Sequence, residues 1–413
     1  MRVVLGMVGV WVVLAVLGCD PGAPPATGDA GPASDTGPDC TGRAATGPST
    51  RGELGGVYDA ARNRVVIFGG NVLAPVNCIP MAQMTNEVWA FELDCRTWVQ
   101  ITPGGDVPSV RSRPAVTLDA AHGRMFVFGG RDRSPSGTYT NYADVYIYDL
   151  ATDTWSAFPT SGVGPSPRSS AAIAYDEVAD RLLVFGGNTS TSGLMLTGAQ
   201  DLFSLDLATG AWTDLTPATG GPGPRLMHAG VVAGRQWLVF GGTPAFNPPY
   251  WNDTWALDLD SDTWTLVDDG SGTAPSTRFG HELFWDAGRM FVFGGHDQTN
   301  LGNQNDVWAL ETATGTWTQI RPGDAPNAPS AGFCDFPSDF TIPEVGAPER
   351  RYGFARAQGP GTGYVLAGKT DCGNIDDVWG LDFASGGWTL LRPATSGEAC
   401  NRSGRTGCTS LCN

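Results

Sequence analysis

Arginine and acidic residues recur along this sequence at matching positions, and the chemistry that they can perform is charge pairing. Each of six Pro-x-x-Arg segments carries one arginine, and an acidic residue follows each arginine further along the chain. The arginines are Arg51, Arg111, Arg168, Arg225, Arg278 and Arg351, and the acidic residues are Glu87, Asp144, Asp201, Asp253, Asp306 and Asp377. A guanidinium group holds a carboxylate through two parallel hydrogen bonds. Six matched pairs therefore favour structural ion pairs.

Aromatic and hydrogen-bonding residues lie in the variable segments between these landmarks. The candidates for ligand binding are Arg131, Tyr142, Tyr250, Trp251, His296 and Asp297, with Asp132, Arg133, Tyr139, Phe246, Gln298 and Asn300 nearby. Exposed side chains of these types suit sugar rings or peptide side chains, because they combine an apolar face with hydrogen-bonding groups. Of the four histidines, only His296 is expected to be free to face a ligand. The alternative is that these segments are loops packed against their own repeats.

A sixfold repeat supplies the elements that must position these residues. Each copy contains four short apolar runs bounded by turn residues, which predicts four strands and leaves no room for a helix. The landmarks are Gly69, Gly70, Gly129, Gly130, Gly186, Gly187, Gly241, Gly242, Gly294 and Gly295 (an eroded sixth pair is Ala367-Gly368), and Trp98, Trp155, Trp212, Trp264, Trp317 and Trp388. An aromatic residue stands nine positions before each of these tryptophans. Four antiparallel strands in six copies predict an all-β fold, a six-bladed β-propeller.

The repeat also predicts how the blades meet. The glycine pairs permit close approach of neighbouring backbones, and the tryptophans and their aromatic partners are expected to pack blade on blade. We call the side that carries the inter-blade loops and the second-to-third loops the upper face, and the opposite side the lower face. Every copy runs from first to fourth strand in phase. Closure of the ring is therefore expected through contact between blades 1 and 6, or through disulfides.

The combination of arginine, Gly-Gly, acid-x-aromatic and tryptophan resembles the kelch family over residues 48–393. In kelch adaptors that bind acidic peptides, arginines at this position face the ligand. The resemblance therefore implies an alternative role for the six arginines as an anion-attracting collar at the channel mouth. Galactose oxidase shares this propeller, but its copper site needs histidine pairs with tyrosines. A sialic-acid mutarotase-like activity, which can use arginine and carboxylate groups, is harder to exclude.

Nine cysteines predict an oxidising environment. With Cys19 set aside, eight remain, and four disulfides are expected in an exported chain. Cys78, Cys334 and Cys372 fall in upper-face loops and Cys95 in a lower turn, so Cys334–Cys372 is the preferred pair. Cys40 and the C-terminal cysteines Cys400, Cys408 and Cys412 are expected to tie the tails to the body or to each other. The tail lacks Cys-x-x-Cys and a nearby histidine, so no metal site is predicted.

The N-terminus has the pattern of an export signal. Arg2 precedes an apolar run too short to span a membrane comfortably, and this run ends in Val16-Leu17-Gly18-Cys19, which resembles the bacterial lipobox. An ordinary signal peptide with a chance cysteine is the alternative. We expect a signal peptide at 1–18, a lipidated Cys19 with a Pro/Gly-rich tether over 19–47, the propeller at 48–393 and a cysteine-rich tail at 394–413.

Composition narrows the function. The 413-residue chain contains 57 glycines and 14 tryptophans, and its net charge of −17 disfavours a nucleic-acid partner. We expect a monomeric binding module that recognises a protein or glycan through its upper-face loops. Its expected location is the bacterial cell envelope, periplasmic or surface-exposed, with membrane attachment through the N-terminal lipid only. No cofactor is predicted. The alternatives are a carbohydrate-active enzyme, mutarotase-like or galactose oxidase-like, and a purely structural envelope protein.

Overall fold

The described residues form six antiparallel sheets of four strands each, as the repeat predicts, and the sheet of blade 2 gains Gly104–Gly105 as a short parallel strand at its outer edge. The computed structural model describes residue 40 and residues 46–73, 82–192, 195–245, 249–297, 302–326, 341–342, 346–370 and 373–394. In each sheet the four blade strands follow one another in chain order from the inner to the outer edge. This arrangement confirms the predicted all-β, six-bladed propeller. No helix among these residues is long and apolar enough to cross a membrane.

The blades are numbered in chain order. Their strands, from first to fourth, are Gly55–Asp59, Arg64–Phe68, Val88–Glu92 and Thr97–Ile101 in blade 1; Ala115–Asp119, Arg124–Phe128, Val145–Asp149 and Thr154–Phe158 in blade 2; Ala172–Asp176, Arg181–Phe185, Leu202–Asp206 and Trp212–Asp214 in blade 3; Ala229–Ala233, Gln236–Gly242, Trp251–Asp258 and Thr263–Asp268 in blade 4; Glu282–Asp286, Arg289–Phe293, Val307–Glu311 and Thr316–Arg321 in blade 5; Ala355–Gly359, Thr362–Leu366, Val378–Asp382 and Trp388–Arg392 in blade 6. Shorter strands are Gly104–Gly105, Arg131–Arg133, Tyr139–Asn141, Arg278–Phe279, His296–Asp297, Ala325–Pro326, Thr341–Ile342, Arg351–Tyr352, Lys369–Thr370 and Gly373–Asn374.

The apolar core lies between the blades. Among the described residues, six clusters of buried side chains occupy the six blade–blade interfaces. In blades 2 to 6 the fourth-strand tryptophan contacts a phenylalanine at or near the end of the second strand of the preceding blade, as in Phe68–Trp155 and Phe293–Trp388, each with ring centroids 4.8 Å apart. The prediction that the tryptophans pack blade on blade is confirmed. Apart from the polar residue that begins each of them, the second strands are apolar, because neighbouring blades cover both of their faces.

The Gly-Gly pairs confirm the predicted close approach between blades. At Gly129, which has φ of 61°, an added Cβ would lie 2.6 Å from the carbonyl oxygen of Arg168 in the next blade. The N–H of Gly130 donates to that same oxygen at 2.9 Å. Only glycine combines this positive φ with so short an approach. The eroded copy keeps the link, since the N–H of Gly368 donates to the carbonyl of Arg51 at 2.8 Å.

A circle of backbone hydrogen bonds surrounds the upper part of the central channel. Each blade contributes the residue two positions after its repeat arginine, and each N–H donates to the equivalent carbonyl of the preceding blade. The donors are Glu53, Arg113, Ser170, Met227, Gly280 and Gly353, at donor–acceptor distances of 2.5, 2.7, 3.0, 3.0, 2.8 and 2.9 Å. The bond from Glu53 to Gly353 joins blade 1 to blade 6. Together with packing between the inner strands of these blades, it closes the ring without strand exchange.

Candidate functional site

The repeat arginines lie inside the protein, each paired with the acidic residue of its own blade. All six are at most 1 % exposed. Salt bridges join Arg51 to Glu87, Arg111 to Asp144, Arg168 to Asp201, Arg225 to Asp253, Arg278 to Asp306 and Arg351 to Asp377. This geometry is that of the structural ion pairs that the sequence favours over a ligand collar.

Arg278 illustrates how completely these guanidinium groups are occupied. Its nitrogens donate to the carbonyl oxygen of Ser276 at 3.1 Å, to the hydroxyl of Ser276 at 2.9 Å and to the carbonyl of Gly294 at 3.0 Å. Two further bonds, of 2.6 and 2.8 Å, reach the Asp306 carboxylate. All five N–H groups of Arg278 are therefore used within its own blade. Little donor capacity is left for a ligand.

In blades 1, 4, 5 and 6 the acidic partner also binds the third-strand tryptophan, an interaction that was not predicted from the sequence. The indole N–H of Trp308 donates to Asp306 at 2.8 Å, and that of Trp379 donates to Asp377 at 2.8 Å. Burial opposes the charged form of Arg278, but the attraction of Asp306 is stronger. The pKa of Arg278 therefore lies above its usual value. The acid-x-Trp spacing of these four copies indicates the interaction, because residues two apart on a strand share one face.

An aromatic group lines the upper channel mouth on the side of blades 4 to 6. Phe279 contacts Tyr250, His296 and Tyr352, with ring centroids 5.1, 5.2 and 6.1 Å apart. Tyr250 and His296 are only 4 % and 3 % exposed, and neighbouring Asp297 is 1 % exposed. The expectation of exposed side chains is therefore wrong for these residues. They are buried because Tyr250 and His296 pack against Phe279, and Asp297 accepts a hydrogen bond from the Ser276 hydroxyl at 3.1 Å.

His296 has protein partners of its own. Its Nδ1 lies 3.2 Å from Oδ1 of Asn303. Burial lowers the pKa of His296 to about 4, against a smaller opposing contribution from Asn303. The expectation that His296 is free to face a ligand is therefore wrong. Among the described residues, no group of three or more histidine, cysteine or acidic side chains could hold a metal ion.

The second-to-third loop of blade 2 forms an ordered hairpin on the upper face. Strands Arg131–Arg133 and Tyr139–Asn141 pair antiparallel. The hairpin is fixed to blade 3, since Tyr139 N donates to the carbonyl of Thr191 at 3.2 Å and Asn141 Nδ2 to that of Ser190 at 3.0 Å. Tyr139 is buried, contrary to expectation, while Thr138 and Thr140 remain exposed.

Two predicted ligand-binding aromatics keep part of their surface exposed near this hairpin and on blade 4. Tyr142 is half-buried and its ring lies 4.5 Å from the guanidinium carbon of Arg111. Trp251 is half-buried and its indole donates to the carbonyl of Pro224 at 3.4 Å. Both residues therefore lie at the upper face with protein contacts on one side. Phe246, Gln298 and Asn300 lie outside the described residues.

A buried charged group at the upper channel mouth includes three residues that were not among the predicted ligand-binding residues. Oε1 of Glu53 lies 2.7 Å from Arg113 and 2.7 Å from Lys369, and Oε2 lies 3.9 Å from Arg131. Arg131 and Lys369 directly follow Gly-Gly or its eroded copy, and Glu53 and Arg113 lie two positions after a repeat arginine. Aligning the six copies by register identifies these positions.

Below this mouth, cavities follow the inner strands through the channel. The upper and middle cavities have volumes of about 100 and 90 Å³, and the cavity at the lower mouth about 340 Å³. Glu282 lines both the upper and the middle cavity, and its carboxylate lies 3.2 Å from Nε of Arg356. Burial raises the pKa of the Glu282 carboxyl from its usual value to about 7, and the nearby positive charge of Arg356 only partly offsets this increase.

Among the described residues, the structure tests the cysteine predictions at one disulfide. Cys40 forms a disulfide with Cys95, in the third-to-fourth turn of blade 1. This bond confirms that Cys40 is tied to the body of the protein, and it lies at the lower face. The preferred pair Cys334–Cys372 lies outside the described residues, as do Cys19, Cys78 and the C-terminal cysteines.

Comparison with known proteins agrees with this architecture. The model of the KLHDC2/KLHL20/DRC7 Kelch-repeats domain matches residues 55–283 and, in a second match, residues 135–336. The chain is 33 % identical over 206 residues to acyl-CoA-binding domain-containing protein 5 of Arabidopsis thaliana, covering 50 % of this chain and 28 % of that protein. It is 29 % identical over 269 residues to acyl-CoA-binding domain-containing protein 4 of the same plant, covering 64 % and 36 %. The matches thus span about a third of each relative.

Proposed function

The chain belongs to the kelch-repeat family, and from this premise we propose that it is a binding module whose upper face recognises a protein partner. Kelch-repeat domains are typically protein-binding modules. One observation carries the proposal for this chain: the Tyr139 N–H and the Asn141 side chain bind the upper-face hairpin of blade 2 to backbone carbonyls of blade 3, while Thr138 and Thr140 stay exposed. A surface ordered before binding loses little conformational entropy on association.

The ion pairs of the repeat arginines also support this proposal. Because the repeat arginines donate their hydrogen bonds within their own blades, we assign them a role in stabilising the ring. We assign ligand recognition to the loop residues that differ between copies. Those residues include half-buried Tyr142 and Trp251 at the upper face. Acyl-CoA binding is named for relatives of which the matches cover 28 % and 36 %, and it is not part of this proposal.

A screen with matched blocking variants tests the proposed face. The full-length oxidised protein is screened against a displayed peptide library and, in parallel, a glycan array. Thr140→Arg places a large charge on the exposed hairpin, and Val178→Arg places the same charge on a lower turn, where Val178 is 69 % exposed. We expect selected peptides whose binding falls at least tenfold with Thr140→Arg and stays unchanged with Val178→Arg. Glycans alone as ligands, or equal loss in both variants, would overturn the proposal.

We also propose that Cys19 is lipidated and anchors the protein to a bacterial envelope. The Val16-Leu17-Gly18-Cys19 segment, which resembles a bacterial lipobox, supports this proposal. Expression of the wild type and Cys19→Ser in a bacterial host separates the alternatives. The wild type should sediment with membranes and the variant should remain in the supernatant. Equal sedimentation of both would contradict lipid anchoring.

A further inference from the structure

One pair of charges stands at two levels of the channel that are otherwise uncharged. The residue that begins the first strand is Glu282 in blade 5, and in the other five blades it is Gly55, Ala115, Ala172, Ala229 and Ala355. The next residue is Arg356 in blade 6, and in blades 1 to 5 it is Gly56, Val116, Ile173, Gly230 and Leu283. The two exceptions pair with each other, since Oε2 of Glu282 lies 3.2 Å from Nε of Arg356.

The Arg356 side chain connects three blades across the channel. It starts from blade 6, its Nε faces the Glu282 carboxylate of blade 5, and its Nη2 donates to the carbonyl oxygen of Gly230 in blade 4 at 3.2 Å. Glu282 lines the upper and middle cavities, and Arg356 lines the middle and lower cavities. The side chains of Glu282 and Arg356 keep 29 and 27 % of their surface accessible. The pair therefore stands where the lower cavity meets the two cavities above it.

We propose that the Glu282–Arg356 pair is a channel gate, which is closed when the carboxylate is ionised and open when it is protonated. In the closed state the guanidinium is held between Glu282 and Gly230, and it separates the lower cavity from the middle one. A protonated carboxyl no longer attracts the guanidinium, and the bond to a neutral carbonyl is the weaker of the two. Exposed Glu177, which lines the lower cavity together with Arg356, offers the released guanidinium a second carboxylate. The open gate lets water and small polar solutes pass between the two mouths.

Glu282 is the member of this group whose charge changes near neutral pH. Burial raises its pKa to about 7, and the positive charge of Arg356 offsets only part of this increase. The other titratable or charged side chains that line the upper and middle cavities are His228, His281, Glu53, Arg113, Tyr352 and Arg356. Burial lowers the pKa of both histidines well below its usual value, so they stay neutral at the pH at which Glu282 titrates. For Glu53, the attraction of Arg113 and the other nearby cations outweighs burial and lowers the pKa, so this carboxylate stays ionised.

The repeat itself supplies a conservative variant for the test. Glu282→Ala gives blade 5 the alanine that blades 2, 3, 4 and 6 carry at this register, and it removes the titrating group. Glu311→Gln is the matched control, because Glu311 is an exposed carboxylate at the lower end of the same blade, 3.9 Å from Nε of Arg289. If Glu282→Ala fails to fold by circular dichroism, Glu282→Gln takes its place.

A nuclear magnetic resonance titration of the full-length oxidised protein, with isotope-labelled arginine, tests whether the pair responds to pH. We expect the Nε signal of Arg356 to shift with a midpoint near the Glu282 pKa of about 7 in the wild type and in Glu311→Gln. The transition should be lost in Glu282→Ala. A flat Arg356 signal in the wild type, or the same transition in Glu282→Ala, would overturn the inference.

Crystal structures at pH 8.5 and pH 5.5 test whether the side chain moves, which a merely structural ion pair would not require. At pH 8.5 the guanidinium should lie between Glu282 and Gly230. At pH 5.5 it should have left Glu282 and turned into the lower cavity, and ordered water should connect the middle and lower cavities. An Arg356 side chain in the same place at both pH values would show an ion pair that titrates without opening, and the gate would be refuted.

Discussion

Replacing Arg278 by methionine tests whether the repeat arginines hold the propeller together. The variant removes five hydrogen bonds and leaves Asp306, whose side chain is 8 % exposed, with the Trp308 indole as its remaining side-chain partner. Breaking a buried pair in this way costs about 3–5 kcal/mol. We expect the free energy of unfolding, measured by urea titration with tryptophan fluorescence, to fall by that amount.

The control removes both charges of the same pair. In Arg278→Met/Asp306→Asn no uncompensated carboxylate remains, so the double variant should recover at least about 1 kcal/mol relative to Arg278→Met. Arg51→Met should lose less stability than Arg278→Met, because Glu87 is 38 % exposed and water can solvate it. A loss below about 1 kcal/mol in Arg278→Met, together with loss of ligand binding, would show that the arginine serves the ligand and refute the structural interpretation.

Three further predictions concern a buried histidine, the disulfide and a residue with positive φ. Burial lowers the pKa of His281 to about 3 from its usual value of 6.5. The stability contributed by neutral His281 is therefore fully present above pH 6.5 and is lost as the pH falls through about 3. In urea titrations between pH 8 and 4, the free energy of unfolding should decline less steeply in His281→Gln than in the wild type. Reduction of Cys40–Cys95, which closes a loop with a sequence separation of 55, should lower stability by about 2–4 kcal/mol, and unchanged unfolding of Cys40→Ser/Cys95→Ser would contradict this. Ala367 has φ of 58°, and Ala367→Gly should gain up to about 1 kcal/mol by calorimetry, whereas a loss would show that its methyl packing outweighs the strain.

The repeat made the fold predictable because its landmarks act locally. A glycine pair that needs positive φ and a tryptophan at fixed spacing report contacts that recur at every blade interface, as at Gly129 and Trp155. Six copies of the pattern therefore indicated the blades and their packing. The arginine–acid pairs were also visible, since both members recur once per copy.

The functional surface was harder to predict because it depends on where loop residues turn. Tyr250 and His296 looked exposed in sequence but pack on Phe279 at the channel mouth. Glu53 and Lys369 are 316 residues apart in sequence and meet only because the ring closes. Such a juxtaposition leaves no local pattern. It becomes visible only when the six copies are aligned and their register is compared around the channel.

Hydrogen–deuterium exchange with a peptide recovered from the screen tests the central claim most directly. The claim is that this kelch propeller recognises its partner through the upper face. We predict that bound peptide slows exchange in residues 131–142 and 249–252, and leaves the lower turns at 59–64 and 149–154 unchanged. Protection confined to the lower turns, with unchanged exchange in the upper-face segments, would contradict the account.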